Sequence, residues 1–269
     1  MYDLDLLFAH KNLTLSFCQM KPSISIVIPA FDEQDRLGDS VKRILDFIEA
    51  EKLSAELIVV DDGSSDKTAA VAEEVCAQFP EIHTKVIRYE QNRGKGYAVK
   101  IGLQATQADL AVFSDADLST PIEEIYKLIK PIQNGDYDVT FGSRALDRSL
   151  IGTHQPWRRE QGGRVINRII KLMSGLKFAD TQCGFKAFNM QKFRPLLDVM
   201  QIDRFGFDVE FLFVADHNRL RLKEIPVKWN DMAGSKVNVL RDTRRMFTEL
   251  NTIRKNAKQG IYKKDLTKP

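Results

Sequence analysis

The 269-residue chain is poor in the side chains that staple, ligate or switch, with three cysteines, four histidines and two tryptophans. Cys18, Cys76 and Cys183 stand far apart and form no CxxC pair, which argues against a disulfide framework or a zinc site and fits a reducing compartment. No stretch reaches the roughly 18 consecutive apolar residues that a membrane-spanning helix needs. Residues Met1–Met20 interleave Leu4, Leu6, Leu7, Phe8, Leu13, Leu15 and Phe17 with Asp3, Asp5, His10 and Lys11, without the basic-then-apolar order of a signal peptide. They read as an amphipathic surface helix or as a docking segment. Excess charge is lacking too. A formal net charge of +3 is too small to indicate nucleic acid, and no aromatic stacking platform accompanies it. The charge is unevenly placed, however: from Leu240 onward nine Lys and Arg face three acids, so the preceding residues are net acidic. Such an end suits anionic partners, membrane head groups before DNA, or is simply a solvated helix.

What is present is an ordinary globular composition, 43% hydrophobic and 29% charged, enough for a sizeable core. Short β-branched runs alternate with helical periodicity. Strands are expected at Ser23–Ile28, Ala55–Val60, Lys85–Tyr89, Leu110–Ser114 and Asp138–Phe141, with helices between them. Such alternation implies βαβ units and a mostly parallel sheet flanked by helices. Ligands of such sheets bind outside the carboxyl ends of the strands, and the most polar clusters lie there: Pro29–Glu33, Asp61–Asp66 and Asp115–Asp117. Beyond Gly142 the pattern loosens. Ala145–Pro156 reads as a mobile loop over the site, Gly163–Leu176 and Val209–Asn218 as helices, Phe185–Phe188 and Leu222–Val227 as strands. A last basic helix spans about Asp242–Lys258, with Met246, Phe247, Leu250 and Ile253 on one face. The expected organisation is an N-terminal segment 1–21, a catalytic domain 22–239 and a basic helix or tail 240–269.

Two carboxylates one residue apart, Asp115 and Asp117, suit a hard divalent cation, Mg²⁺ or Mn²⁺, held against a diphosphate; in an extended chain both would point the same way. The alternative is that one of them caps the following helix. In Asp61–Asp66, turn and capping chemistry explains Gly63, Ser65 and Asp66 but not the adjacent acids Asp61 and Asp62. A carboxylate at that strand end can accept from a base imide or a ribose hydroxyl. Pro29, Phe31 and Glu33 add an aromatic face and another carboxylate, although Phe31 is equally suited to the core. Asn92–Gly96, with Lys95, is a glycine-containing turn before a helix that can support phosphate binding.

The segments IVIPAFDE, VVDDGSSDKT, NRGKGYAVKIG and DADLSTP resemble, in order and spacing, the family 2 glycosyltransferases of the nucleotide-diphospho-sugar (GT-A) fold, over about Ser23–Lys236. Within that family, DADLSTP, GSRA, DTQCGFKAF, FDVEFLF and the GSK at 234–236 are most similar to the dolichyl-phosphate β-glucosyltransferase branch. The resemblance implies a hexosyltransferase taking glucose from a UDP-sugar, with UDP expected on the branch likeness alone. It implies that Asp62 or Asp61 reads the base, with Pro29, Phe31 and Glu33 shaping the nucleoside pocket. Asp115 is then expected by the ribose and metal, and Asp117 on the metal. Arg144 and one of Arg158 or Arg159 are expected to face phosphate oxygens, and Lys236 to close on the diphosphate.

A polyprenyl-phosphate acceptor is ionised at neutral pH and needs no general base, whereas a saccharide or protein hydroxyl does. Asp208 and Glu210 are the candidate bases for the second case; Glu210 is equally suited to anchoring. A non-catalytic nucleotide-sugar-binding module is a further alternative. Eukaryotic members of the branch carry an N-terminal membrane helix, which this sequence does not show, so a lipid acceptor implies peripheral attachment at the cytoplasmic membrane face through the basic last helix. Cys183 is expected to pack rather than react, and Trp157 and Trp229 to line an acceptor groove or the core.

Overall fold

The computed structural model describes residues 21–153, 157–232 and 239–266, with the backbone alone for 157–165 and 239–244. The expected strands form: β1 (Ile24–Ala30), β2 (Ala55–Asp61), β3 (His83–Arg88), β4 (Leu110–Ser114) and β5 (Val139–Ser143). All but β3 are buried throughout, as continuous apolar runs in a two-sided parallel sheet must be. Between them lie α1 (Leu37–Ala50), α2 (Thr68–Cys76), α3 (Lys95–Ala105) and α4 (Ile125–Gln133). The one-residue-in-three-or-four apolar spacing on α1 becomes its buried stripe of Leu37, Val41, Ile44, Leu45 and Ile48.

The seven-stranded sheet runs β3-β2-β1-β4-β7-β5-β8, where β7 is Phe185–Asn189 and β8 is Leu222–Pro226. Strand β7 is antiparallel to both β4 and β5, and the other pairings are parallel. Strand order reverses direction between β1 and β4, so their carboxyl ends open the crevice in which such sheets bind ligands. Helices cover both faces. One core contains Val27, Val60 and Phe113 with Phe188, Phe193, Phe207 and Phe211; the other joins Ile26, Ile28 and Val59 to α1 and α4. Each fully buried Phe contributes roughly 2–3 kcal/mol by leaving water.

Several expectations change. Within the segment read as a mobile loop, 145–153 contains the turn Arg148–Leu150 and a short strand β6 (Ile151–Thr153), which pairs with β9 (Trp229–Asn230); 154–156 lie outside the described residues. Helix α5 (Trp157–Ser174) starts earlier than its periodicity indicated, α6 (Met190–Leu197) was not anticipated, and α7 is Phe207–His217.

The last helix, α8 (Val239–Lys258), is no appendage. Met246, Leu250 and Ile253 are 5%, 1% and 0% exposed within the first core, joined there by fully buried Tyr262. This corrects the reading of 240–269 as a tail whose apolar face enters a bilayer, because the fold itself already covers that face. The expectations for residues 1–20, for Lys236 and for the side chains of Trp157, Arg158 and Arg159 lie outside the described residues.

Candidate active site

The loops after β1 and β2 are laced together by short polar side chains. Asp32 adopts a left-handed backbone (φ 51°), which Asp tolerates better than most residues. Its N–H donates to Ser64 Oγ (2.8 Å), and its carboxylate accepts from Ser65 N (2.9 Å). Glu33 N donates to Thr68 Oγ1 (2.7 Å), and Asp66 accepts from Thr68 N (2.9 Å), so Asp66 rather than Ser65 secures the start of α2. Phe31 is 38% exposed on the rim of the crevice, not a core residue, while Pro29 is buried in β1.

The two acids after β2 do different work. Asp62 accepts from Tyr89 O–H (2.7 Å), Asn92 Nδ2 (2.8 Å), Arg93 N (2.8 Å) and Gly94 N (2.8 Å). It thereby holds the turn that launches α3, where Gly94 takes φ 116°, a conformation suited to glycine. Asp61 accepts from Ser64 N (3.0 Å) and the Ser64 hydroxyl, yet its buried Oδ2 has no hydrogen bond, with Arg88 Nε 3.4 Å away.

Across the crevice, Asp115 follows β4. Its N–H donates to Gly184 O (3.0 Å), and a Cβ at Gly184 would overlap the Asp115 carboxylate, which explains a glycine there. The chain does not stay extended through the pair, as the alternation argument required: Leu118 N returns to Asp115 O (3.2 Å), and Leu118 is left-handed at φ 48°. Asp117 caps no helix; its Oδ1 accepts from Ser119 N (3.0 Å). Asp115 Oδ1 forms an ion pair with Lys95 Nζ at 2.5 Å. Asp115 and Asp117, two carboxylates on one turn after β4, supply the oxygen donors that a hard divalent cation takes. Among the described residues no group of three or more His, Cys, Asp or Glu forms a complete cage. Mg²⁺ or Mn²⁺ held by one or two carboxylates keeps positions for water and phosphate oxygens.

Arg36, which sequence reading missed, pairs with Glu33 through two hydrogen bonds, one of 2.7 Å from Nη2, and feels the charges of Asp117 and Asp115 as well. The i,i+3 spacing of Glu33 and Arg36 was the available signal.

Arg144 is engaged bidentately by buried Asp180, Nε to Oδ2 at 2.7 Å and Nη2 to Oδ1 at 2.9 Å, with its guanidinium 5.6 Å over the ring of half-buried Trp229. Asp180 is aimed in turn by Glu224, which accepts from Ala179 N (2.8 Å) and Asp180 N (2.7 Å). Burial raises the Asp180 carboxyl, but Arg144 outweighs it and holds the pKa below the ordinary range.

The candidate bases are both committed. Lys186, fully buried, donates to Asp208 and to Cys183 O (2.6 Å). Glu210 is 0% exposed and accepts from Gln201 N (2.8 Å), Ile202 N (2.9 Å) and Tyr262 O–H (2.5 Å). Of the two roles open to Glu210, base or anchor, its buried oxygens fit the anchor, holding the 201–202 backbone and Tyr262. Burial, then Asp180, pushes the Cys183 thiol up to about 12, which suits packing and not nucleophilic chemistry.

A mostly parallel sheet with one reversed strand, opening at the switch point between β1 and β4, is the GT-A fold. Residues 25–197 match the model of Glycosyl transferase family 2, and the chain belongs to that family and is a glycosyltransferase. It is 29% identical over 252 residues to a dolichyl-phosphate beta-glucosyltransferase of Dictyostelium discoideum, covering 89% of this chain and 76% of the relative. Against the enzyme of the same description from Drosophila melanogaster it is 31% identical over 242 residues, 84% and 73% of the two chains. Among solved structures, glucosyl-3-phosphoglycerate synthase of Mycobacterium tuberculosis with Mn²⁺, UDP-glucose and phosphoglyceric acid superposes with a TM-score of 0.62 at 19% identity, covering 90% of this chain and 83% of that one. That last likeness establishes the fold.

Proposed function

We propose that this enzyme transfers glucose, with inversion, from UDP-glucose to a polyprenyl phosphate. The observation that carries the reading is the commitment of Asp208 to Lys186 and of Glu210 to backbone amides and Tyr262. An acceptor hydroxyl needs a base; an acceptor monophosphate brings its own charged oxygen. The names of the relatives, dolichyl-phosphate beta-glucosyltransferases, support the same acceptor class and sugar.

On this reading Pro29, Phe31 and Glu33 shape the nucleoside end, which the Asp61–Asp62 pair closes. Asp115 and Asp117 would hold Mg²⁺ or Mn²⁺, which supplies positive charge to the leaving diphosphate. Lys95 and Arg36 add positive charge on the same side. Arg144, held square by Asp180 against Trp229, presents its remaining N–H groups to the acceptor phosphate. For Arg158, Arg159 and Lys236 a phosphate role is what the family resemblance implies.

The lipid acceptor places the reaction at a membrane. Among the described residues no helix is long and apolar enough to cross one. Peripheral attachment is supported by exposed Arg168, Lys171 and Leu172 (84% exposed) on α5 and by Arg254, Lys255 and Lys258 on α8, which packs against it. Free, buried Cys76 and Cys183 accord with the reducing, cytoplasmic side.

The test is nucleotide release with Mn²⁺ or Mg²⁺ from UDP-glucose, UDP-GlcNAc and GDP-mannose, each with and without a short polyprenyl phosphate. Release is expected to require UDP-glucose and the lipid together, and to fall by on the order of 10³ in Asp117→Ala. Release indifferent to the lipid would overturn the acceptor.

A further inference from the structure

Four charged side chains meet beneath the crevice, and the proposed function uses only half of them. Lys95, at the start of α3, touches Asp115 at 2.5 Å. Lys186, on β7, is fully buried and donates to Asp208 on α7. The two ammonium groups lie 5.6 and 5.8 Å from the centroid of one ring, Phe113. Lys95 is not served by Asp115 alone: although burial works against its charge, Asp115 and then Asp208 outweigh that and hold its pKa above the ordinary lysine value. Asp208 likewise feels both Lys186 and Lys95. A lysine on a flexible stem thus contacts one carboxylate, a candidate metal ligand, and lies in the field of a second that is held by Lys186 beside the same ring.

We propose that Lys95 is an exchangeable counter-ion of Asp115, holding the place of the divalent cation until donor arrives, with Asp208 the positioning residue towards which it withdraws. The inference rests on the reading of Asp115 and Asp117 as the metal site. Asp115 Oδ1 cannot face an ammonium at contact distance and a divalent cation together without strong repulsion. In the donor-free protein the ammonium is the resident charge, so bare metal binds weakly. With the nucleotide diphosphate in the crevice, its oxygens compete for the ammonium and help to hold the cation. Asp208, already partnered by buried Lys186, offers Lys95 a fixed second anchor beside the Phe113 ring. Metal and donor are thereby made to bind together.

The experiment is the Mn²⁺ affinity of the full-length protein, from the electron paramagnetic resonance signal of free Mn²⁺, with and without UDP. Lys95→Met is expected to bind Mn²⁺ at least about fivefold more tightly than wild type when UDP is absent, since a unit positive charge beside the cation is gone. With UDP present that advantage shrinks or reverses. Asp208→Asn is expected to weaken donor-free Mn²⁺ binding about threefold when Lys95 is present, and to change nothing in a Lys95→Met background. Circular dichroism checks the fold; if Asp208→Asn leaves buried Lys186 intolerable, Asp208→Asn with Lys186→Met removes both buried charges and is read the same way. Unchanged or weaker Mn²⁺ binding by Lys95→Met overturns the exchange, as does an equal effect of Asp208→Asn in both backgrounds. If neither wild type nor Lys95→Met binds Mn²⁺ even with UDP, the metal reading itself fails and the exchange with it. Loss of all binding in Asp115→Asn ties the signal to this site.

Discussion

The two halves of the crevice hold their carboxylates by different means. On the donor side, after β1 and β2, Asp32, Asp62 and Asp66 accept from backbone N–H groups, hydroxyls and an amide. On the acceptor side, Asp180 and Asp208 are held by Arg144 and by Lys186. Asp32, Asp62 and Asp66 therefore shape turns, while Glu33 pairs with Arg36; on the proposed function those turns read the nucleotide. Asp180 and Asp208 fix cations, and on the proposed function a fixed Arg144 receives the acceptor's anion.

This comparison is sharpest where one substitution on each side is set against the other. Asp180→Asn is expected to cost about 3 kcal/mol in urea unfolding, because it breaks a buried charge pair. It is also expected to raise KM for the lipid phosphate about tenfold while leaving that for UDP-glucose nearly unchanged. Asp62→Asn does the reverse, loosening the turn before Lys95 and raising KM for the donor. If both variants move the same KM, the division of labour is wrong.

Glu210→Gln separates anchoring from base catalysis. The account predicts a stability loss of about 2 kcal/mol, from an amide set against Gln201 and Ile202 N–H groups, with kcat within about threefold of wild type. Loss of turnover in a folded protein would restore the base.

The smallest effect is a pH dependence. Burial raises the Asp138 carboxyl, but Arg221 and Lys192 overrule it and hold its pKa down to about 2. With the folded value below the unfolded one, the contribution is present above about pH 4 and is lost as pH falls towards 2. It is worth about 1 kcal/mol, since Arg221 and Lys192 are half exposed. Asp138, at the amino end of β5 and away from the crevice, is a structural acid, and Asp138→Asn is expected to flatten that acid limb in thermal melts.

The same division marks what the sequence made legible. The donor-side strands and the placement of Asp61–Asp66 and Asp115–Asp117 at strand ends follow from apolar runs and short-range turn chemistry. Strand β7 was visible as a strand, but its reversed direction was not, since a short run buried on both faces looks alike either way. Helix α6 was missed because it is only eight residues long and contains Pro195. The pairing of Arg144 with Asp180 joins residues 36 positions apart, and nothing local announces it. Lys186 did leave a trace: a lysine between Phe185 and Ala187 in an apolar strand is a buried charge in need of a partner. The last helix misled because an apolar stripe on a basic helix suits a protein core as well as a membrane.

The central claim is that the acceptor carries its own negative charge. It is tested most directly by measuring glucose transfer from UDP-glucose to a polyprenyl monophosphate and to the polyprenyl alcohol of the same chain length, side by side. The account predicts product with the phosphate and none above background with the alcohol. Comparable transfer to the alcohol would contradict it and call for a base that neither Asp208 nor Glu210 is placed to supply.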